Sequence, residues 1–156
     1  MSVGFVMLAH TALERAGQVA RHLANDGASV VIHVDKRTPD HAFHALVSQV
    51  ADSHSIHFAE RQKCDWGTWS QVAATRTATE QLLSLDPDAR HVALVSGACL
   101  PIKPVADLED FLSRHPQTDF IESVTIDDVP WAKDGLGKER FTMTFPFAWK
   151  RQKRLF

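Results

Sequence analysis

The segment Val30-Val31-Ile32-His33-Val34-Asp35-Lys36 decides the fold. It is a run of β-branched residues that ends on a carboxylate, and Lys36-Arg37-Thr38-Pro39 carries the chain away from it. A continuous apolar run of this length, bounded by polar residues and Pro, predicts a strand buried on both faces. In an open α/β sheet, ligands bind at the carboxyl ends of such strands. Asp35 therefore stands where a ribose or a base edge is read. A turn or a helix cap suits an Asp at this place equally well.

Working outward, Val3–Ala9 predicts a first strand that ends at His10-Thr11, with Thr11 as helix cap. Leu13, Ala16, Ala20, Leu23 and Ala24 recur at helical spacing, and Asn25-Asp26-Gly27 stops that helix. Beyond the central strand, Thr38 as cap and Pro39 in the first turn predict a second helix, with Phe43, Leu46, Val47 and Val50 as its stripe. Ser55–Ala59 predicts a short third strand, ending near Glu60. Cys64–Ser70 reads as a loop, followed by a helix with Ala74, Ala78, Leu82 and Leu85 on one face. Asp86-Pro87-Asp88 breaks it, and His91–Val95 is a fourth strand ending at Ser96-Gly97. Pro101 and Pro104 bracket a turn. Leu108, Phe111 and Leu112 mark a short helix that His115-Pro116 ends, and Asp119–Ser123 predicts a fifth strand. The alternation predicts an α/β fold, a mostly parallel open sheet with helices on both faces.

After Val124 the pattern weakens. Asp127-Asp128 and Gly135-Leu136-Gly137 read as loop, and Phe141–Phe147 has the composition of a strand. Residues 1–124 are thus expected to form the α/β region, and residues 125–156 a loop-rich segment. Lys150-Arg151-Gln152-Lys153-Arg154-Leu155-Phe156 resembles the opening of a further amphipathic helix, so a C-terminal half is expected beyond it.

The chain has 156 residues and a net charge of −2. That length suits one domain able to bury about 68–70% of its unfolded surface. The charge offers no footprint for nucleic acid or an anionic membrane surface. Cys64 and Cys99 show neither metal spacing nor a disulfide framework, which points to a reducing, cytoplasmic setting. No apolar run approaches the ~18 residues of a membrane span, and no secretory signal pattern opens the chain.

Four predicted strand ends carry polar groups: His10-Thr11, Asp35-Lys36, Glu60 and Ser96-Gly97. A nucleotide needs a carboxylate for ribose hydroxyls, donors for phosphate and a flat wall for the base. Asp35 meets the first need. Trp66 or Trp69 offers the wall, against the plainer reading of packing in the core. Gly67 and Gly97 allow close backbone approach, although Gly97 reads first as a turn. His10 and His33 read as satisfied buried or half-buried histidines. His33 and Asp35 share a strand face, but no third ligand has matching spacing, so no metal site is expected. Cys64 and Cys99 read as small hydrophobes; a nucleophile here lacks a visible base partner.

The order of His10, then Ile32-His33-Val34-Asp35, then Trp66-Gly67-Thr68-Trp69-Ser70, then Leu94-Val95-Ser96-Gly97-Ala98-Cys99-Leu100-Pro101-Ile102-Lys103 resembles the core-2/I-branching β-1,6-N-acetylglucosaminyltransferase family, which also contains the peptide O-xylosyltransferases. The resemblance runs from about Val3 to about Glu122. It implies a GT-A, Rossmann-like nucleotide-binding half. The implied activity is inverting, metal-independent transfer of N-acetylglucosamine or xylose from a UDP-sugar to a hydroxyl of a glycan, glycoprotein or polysaccharide. No cofactor beyond the donor is implied. Val6, His10, Asp35 and Trp66 are implied near the uridine, with Gly67, Ser96 and Gly97 completing the nucleotide set. Lys138, Glu139 and Arg140 are similar to a cluster on the acceptor side. The catalytic base and the residues for the diphosphate are implied beyond Phe156. Cys99 departs from the family, many of whose members have Asp there.

Displacing UDP needs a base for the hydroxyl proton, stabilisation of an oxocarbenium-like centre, and positive charge or a metal for the diphosphate. Glu122 and Glu139 are candidates for the base by position alone. Lys150, Arg151, Lys153 and Arg154 suit a solvated helix face better than a diphosphate. Asp86-Pro87-Asp88 imitates the Asp-x-Asp metal pattern of many sugar transferases, but it falls at the amino edge of the sheet and reads as a helix stop. Two other readings remain: a non-catalytic module for nucleotide sugar or glycan, and a receiver-like or flavodoxin-like domain. The latter lacks an acidic pair at the end of the first strand, where His10 stands.

Overall fold

The computed structural model describes residues 2–65 and 68–121. The chain divides after Gln117, and the fold below is that of its first unit. The elements are β1 (Ser2–Ala9), α1 (Leu13–Asn25), β2 (Val30–Val34), α2 (Asp40–Gln49), β3 (Ile56–Phe58), α3 (Trp69–Leu85), β4 (Ala89–Ser96) and α4 (Val105–Ser113). All three strand pairings are parallel, and the spatial order is β3-β2-β1-β4. The open parallel sheet with helices on both faces forms as expected, and all five residues of β2 are buried.

The strand order discriminates between folds. In flavodoxin-like and receiver-like sheets β1 lies between β2 and β3, whereas here β2 lies between β3 and β1, and the chain steps back across β1 to lay down β4. That is the Rossmann-like half. The reversal sits between β1 and β4, so the carboxyl ends of the central strands open into a crevice.

Alternation along the strands feeds two cores. On one face Phe5, Met7, Ile32 and Val34 pack with Ala16, Leu23, Leu46 and Leu112 of α1, α2 and α4. On the other, Val6 and Val31 pack with Ala78 and Leu82 of α3. Gly4 lies on the α3 face, where a Cβ would stand 2.4 Å from Leu82 Cδ2. Its bare backbone lets α3 approach the sheet.

Several sequence expectations need correction at the element ends. α1 is preceded by Ala12, in the left-handed region at φ 48°, and no side chain caps it, so Thr11 is not the cap. Thr38 does not cap α2 either, because its hydroxyl donates to the His10 carbonyl at 3.2 Å. Pro39 takes the cap position instead. α3 begins at Trp69, so the expected loop ends at Thr68, whose hydroxyl accepts from the Ser70 N–H. Leu85 is exposed at the helix end and does not extend the buried stripe. Asp119–Ile121 are not a strand; a strand exists only through a partner's backbone, and none pairs with them among the described residues. Glu122, Ser123 and the candidate strand Phe141–Phe147 lie outside the described residues. Among the described residues no helix is long and apolar enough to cross a membrane.

Gly4→Val should destabilise the chain by ~1–3 kcal/mol in chemical denaturation, the range for overpacking a filled core. Leu82→Ala should cost clearly less in the Gly4→Val background than alone, because it removes the clashing methyl groups. Strict additivity would place the clash elsewhere.

Candidate functional site

A cavity of about 210 Å³ opens at the carboxyl ends of β1 and β2, on the α3 side of the sheet. It is lined by Leu8, Ala9, His10, His33, Asp35, Arg37, Cys64 and Gln71. A shallower hollow of about 350 Å³ shares His10, Asp35 and Arg37 with it and adds Thr38 and Pro39. The register explains the meeting. Leu8 pairs with His33 and Ala9 with Val34, so His10 and Asp35 emerge side by side past the last pair. The Asp35 N–H donates to the Ala9 carbonyl at 3.0 Å and fixes the exit of the chain.

Asp35 is buried, with 6% of its surface exposed. Its Oδ1 accepts from the Arg37 main-chain N–H at 2.8 Å and from Arg37 Nε at 3.1 Å. Its Oδ2 accepts from Arg37 Nη2 at 2.7 Å and from the Cys64 N–H at 3.2 Å. A carboxylate offers about four lone-pair positions, and all of them are taken. Burial pushes the Asp35 pKa up, but the bonds from the Arg37 main chain, its guanidinium and Cys64 outweigh that, and the carboxyl is held below its usual range. The turn considered for Asp35 is therefore formed. Arg37 is half exposed and also reaches Asp65 at 3.2 Å and the Cys64 carbonyl. The two main-chain donors belong to the fold, whereas the guanidinium is replaceable. A ribose hydroxyl that is to bond Asp35 has to take the guanidinium's place.

The connection from β3 to α3 crosses over the end of β2 and is tied down repeatedly. The Ala59 N–H donates to the Ile32 carbonyl at 2.9 Å, and the Lys36 N–H to the Gln62 carbonyl at 3.1 Å. The Gln62 N–H donates to His33 Nε2 at 3.1 Å. Arg61 reaches the Asp40 carboxylate at 2.8 Å and the carbonyls of Asp35 and Lys36 at 3.3 Å, and it also bonds the Thr38 carbonyl. Its guanidinium lies 4.6 Å from the centre of the Phe43 ring. Burial lowers the His33 pKa; the Asp35 charge opposes this, and the Arg61 charge adds to it. Burial, then the Asp35 charge, raise the Cys64 thiol, so it stays a thiol and not a nucleophilic thiolate.

The other predicted residues fall as follows. Ser96 pairs with Leu8, so His33, Leu8 and Ser96 form one row on the α3 face. Asp35 and Ser96 thus share an edge and a face, with the strands of Asp35 and Ser96 about 10 Å apart. Ser96 is exposed, and its hydroxyl accepts from the Ala98 N–H at 3.2 Å. Gly97 serves packing: a Cβ there would stand 2.9 Å from the Ala16 Cβ of α1. Val6 is fully buried against α3, and Leu8 and Ala9 are the β1 wall of the cavity. Trp69 is 69% exposed in the first turn of α3, so the core-packing reading does not hold for it. Trp66, Gly67, Lys138, Glu139 and Arg140 lie outside the described residues, as do Lys150, Arg151, Lys153 and Arg154.

The Asp86 carboxylate accepts from the Ser29 hydroxyl at 2.9 Å at the amino edge, as its reading as a helix stop requires. A larger hollow of about 540 Å³, bounded by Phe5, Leu23, Ile102, Leu108 and Phe111, lies on the α1 and α4 side and holds none of the strand-end polar groups. Sequence reasoning missed Arg37 and Arg61. The first had a signal in its place two residues after Asp35. The second had none, because its partners are carbonyls brought to it by the β2–β3 pairing.

A family model described as Core-2/I-Branching enzyme matches residues 3–146. The match takes in every cavity residue and runs past the point near Glu122 where the motif resemblance fades. Among curated proteins no sequence matches the chain. That match covers most of the chain, the Rossmann-like strand order is the fold expected of it, and the chain belongs to the Core-2/I-branching enzyme family of glycosyltransferases.

Proposed function

We propose that this chain supplies the UDP-binding half of an inverting, metal-independent transferase. It moves N-acetylglucosamine or xylose from a UDP-sugar to a hydroxyl of a glycan, glycoprotein or polysaccharide. The observation that carries the reading is Asp35, a charged carboxylate held by main-chain donors at the carboxyl end of β2 beside a cavity. Family membership supports the reaction class. The cavity of about 210 Å³ is smaller than the ~300–1,000 Å³ of a complete small-ligand pocket, and suits the nucleoside part of a donor.

In this reading the nucleoside enters between His10 and Gln71. Its ribose hydroxyls replace the Arg37 guanidinium on Asp35, while the bonds from the Arg37 and Cys64 N–H groups keep the carboxylate oriented. The acceptor hydroxyl attacks the anomeric carbon opposite the departing UDP, which takes the bonding electron pair. A general base takes the proton. Trp66 is assigned to the uracil, and Lys138, Glu139 and Arg140 to the acceptor side.

Titration calorimetry should give the same UDP affinity with and without a chelator. Asp35→Ala should weaken binding about tenfold or more, as expected for lost bonds to a charged group. Unchanged affinity in that variant would remove the nucleotide reading.

Arg37→Ala separates two roles of Asp35. If the carboxylate accepts from ribose, removing its competitor should leave UDP binding intact or strengthen it a few-fold. A loss as large as that of Asp35→Ala would make Asp35 an anchor for the loop only. Acceptor-dependent release of UDP distinguishes turnover from a binding module.

A further inference from the structure

We propose that His33 is a positioning residue of the nucleotide pocket. Its neutral imidazole helps to hold the β3–α3 loop over the end of β2, and protonation of the ring loosens that loop at Gln62. The bond from Gln62 fixes the tautomer. A main-chain N–H can only donate, so Nε2 carries the lone pair and Nδ1 the proton. A second proton on Nε2 would set two donors against each other at a spacing of 3.1 Å. His33 is 2% exposed, so water does not readily replace the lost acceptor.

The placement gives the bond a function. His33 and Asp35 are alternate residues on one strand face. They hold alternate residues of the loop, Gln62 and Cys64, by their main-chain N–H groups. His33 and Cys64 also line the cavity. Both side chains thus help to hold the loop as a pocket wall, beside the bond from the Lys36 N–H to the Gln62 carbonyl.

The charged and titratable groups around His33 come from each neighbouring element. Asp35 follows it on β2, and Arg37 lies in the turn beyond. Arg61 and Cys64 lie in the loop, His10 ends β1, and α3 contributes the uncharged Gln71. Burial dominates and lowers the His33 pKa; Asp35 and the backbone of His33 and Gln62 favour protonation, and Arg61 opposes it. The folded ring thus binds fewer protons than the free one. Its contribution is complete above the ordinary value and is lost as pH falls through the lowered one. The depressed pKa of Asp35 keeps that carboxylate charged throughout this window.

The consequence for UDP rests on the proposed function; the loop attachment does not. Two quantities are read on the full chain over about pH 5 to 8: exchange protection of the Gln62 amide relative to its intrinsic rate, and UDP affinity by calorimetry. In the wild-type chain both should fall together on acidification, by about tenfold. His33→Gln supplies an acceptor that does not titrate, so both should stay high and flat with pH. His33→Leu should lower both at every pH; a thermal melt shows whether it folds, and if it does not, the slope of His33→Gln decides. Gln62 protection that is unaltered in His33→Leu, or a wild-type pH slope in His33→Gln, would overturn the proposal. So would UDP affinity that holds while Gln62 protection is lost. If UDP binds at no pH while Gln62 protection follows His33, the positioning role stands and the nucleotide reading is what fails.

Discussion

A buried carboxylate has to be paired, and the pairing of Asp35 organises the carboxyl edge of the sheet. Its four donors come from two stretches of chain, the turn after β2 and the loop after β3. One side chain therefore ties three pieces together. Main-chain hydrogen bonds to a charged group are worth ~1.5–3 kcal/mol each, about twice a neutral one. Arg61 works in the same direction from the other side, gathering carbonyls of the β2–α2 turn. The edge is rigid because charges from the loop and the turn are interleaved, and not because either segment has structure of its own.

Much of the fold was legible because burial on both faces writes a simple pattern. Val30–Val34 is apolar with no alternation, and it forms the fully buried strand that pattern implies. The strand order was not legible. Periodicity identifies elements, but neighbours in space are set by which edge the next strand joins. Only the coordinates separate the Rossmann-like order from the flavodoxin-like one. The misread caps have a related cause. Thr11 and Thr38 carry the right hydroxyl in the right place, yet Thr38 bonds the His10 carbonyl and Ala12 turns the chain without a cap. Local propensity was overridden by a partner distant in sequence.

The candidate site divides along the same line. Asp35 could be found because its position follows from the strand that precedes it. Its occupancy could not, since Cys64 lies 29 positions away and is delivered by the parallel pairing of β2 with β3. His33 looked like an ordinary buried histidine. The ring is buried, but its acceptor holds a main-chain donor that the sequence does not mark. Gly97 reads first as a turn and stands in one, and a Cβ there would meet Ala16, a neighbour that the sequence does not mark.

A carboxylate with every lone pair taken has no free position for a ligand, yet its partners are unequal. The two main-chain N–H groups are fixed by the backbone, so they orient the carboxylate and keep it charged at no further cost in order. The guanidinium sits half in water. An ion pair with one exposed partner is weakly held, because solvent competes for the guanidinium. Its removal exposes one acceptor position on each oxygen, pointing away from the donors that remain. Two neighbouring hydroxyls on one ring can use both positions, and a single hydroxyl can use only one. Preorganisation by the backbone, with a weakly held side chain keeping the place, is thus consistent with binding a vicinal diol. A carboxylate held only by long side chains would lose its orientation when they left.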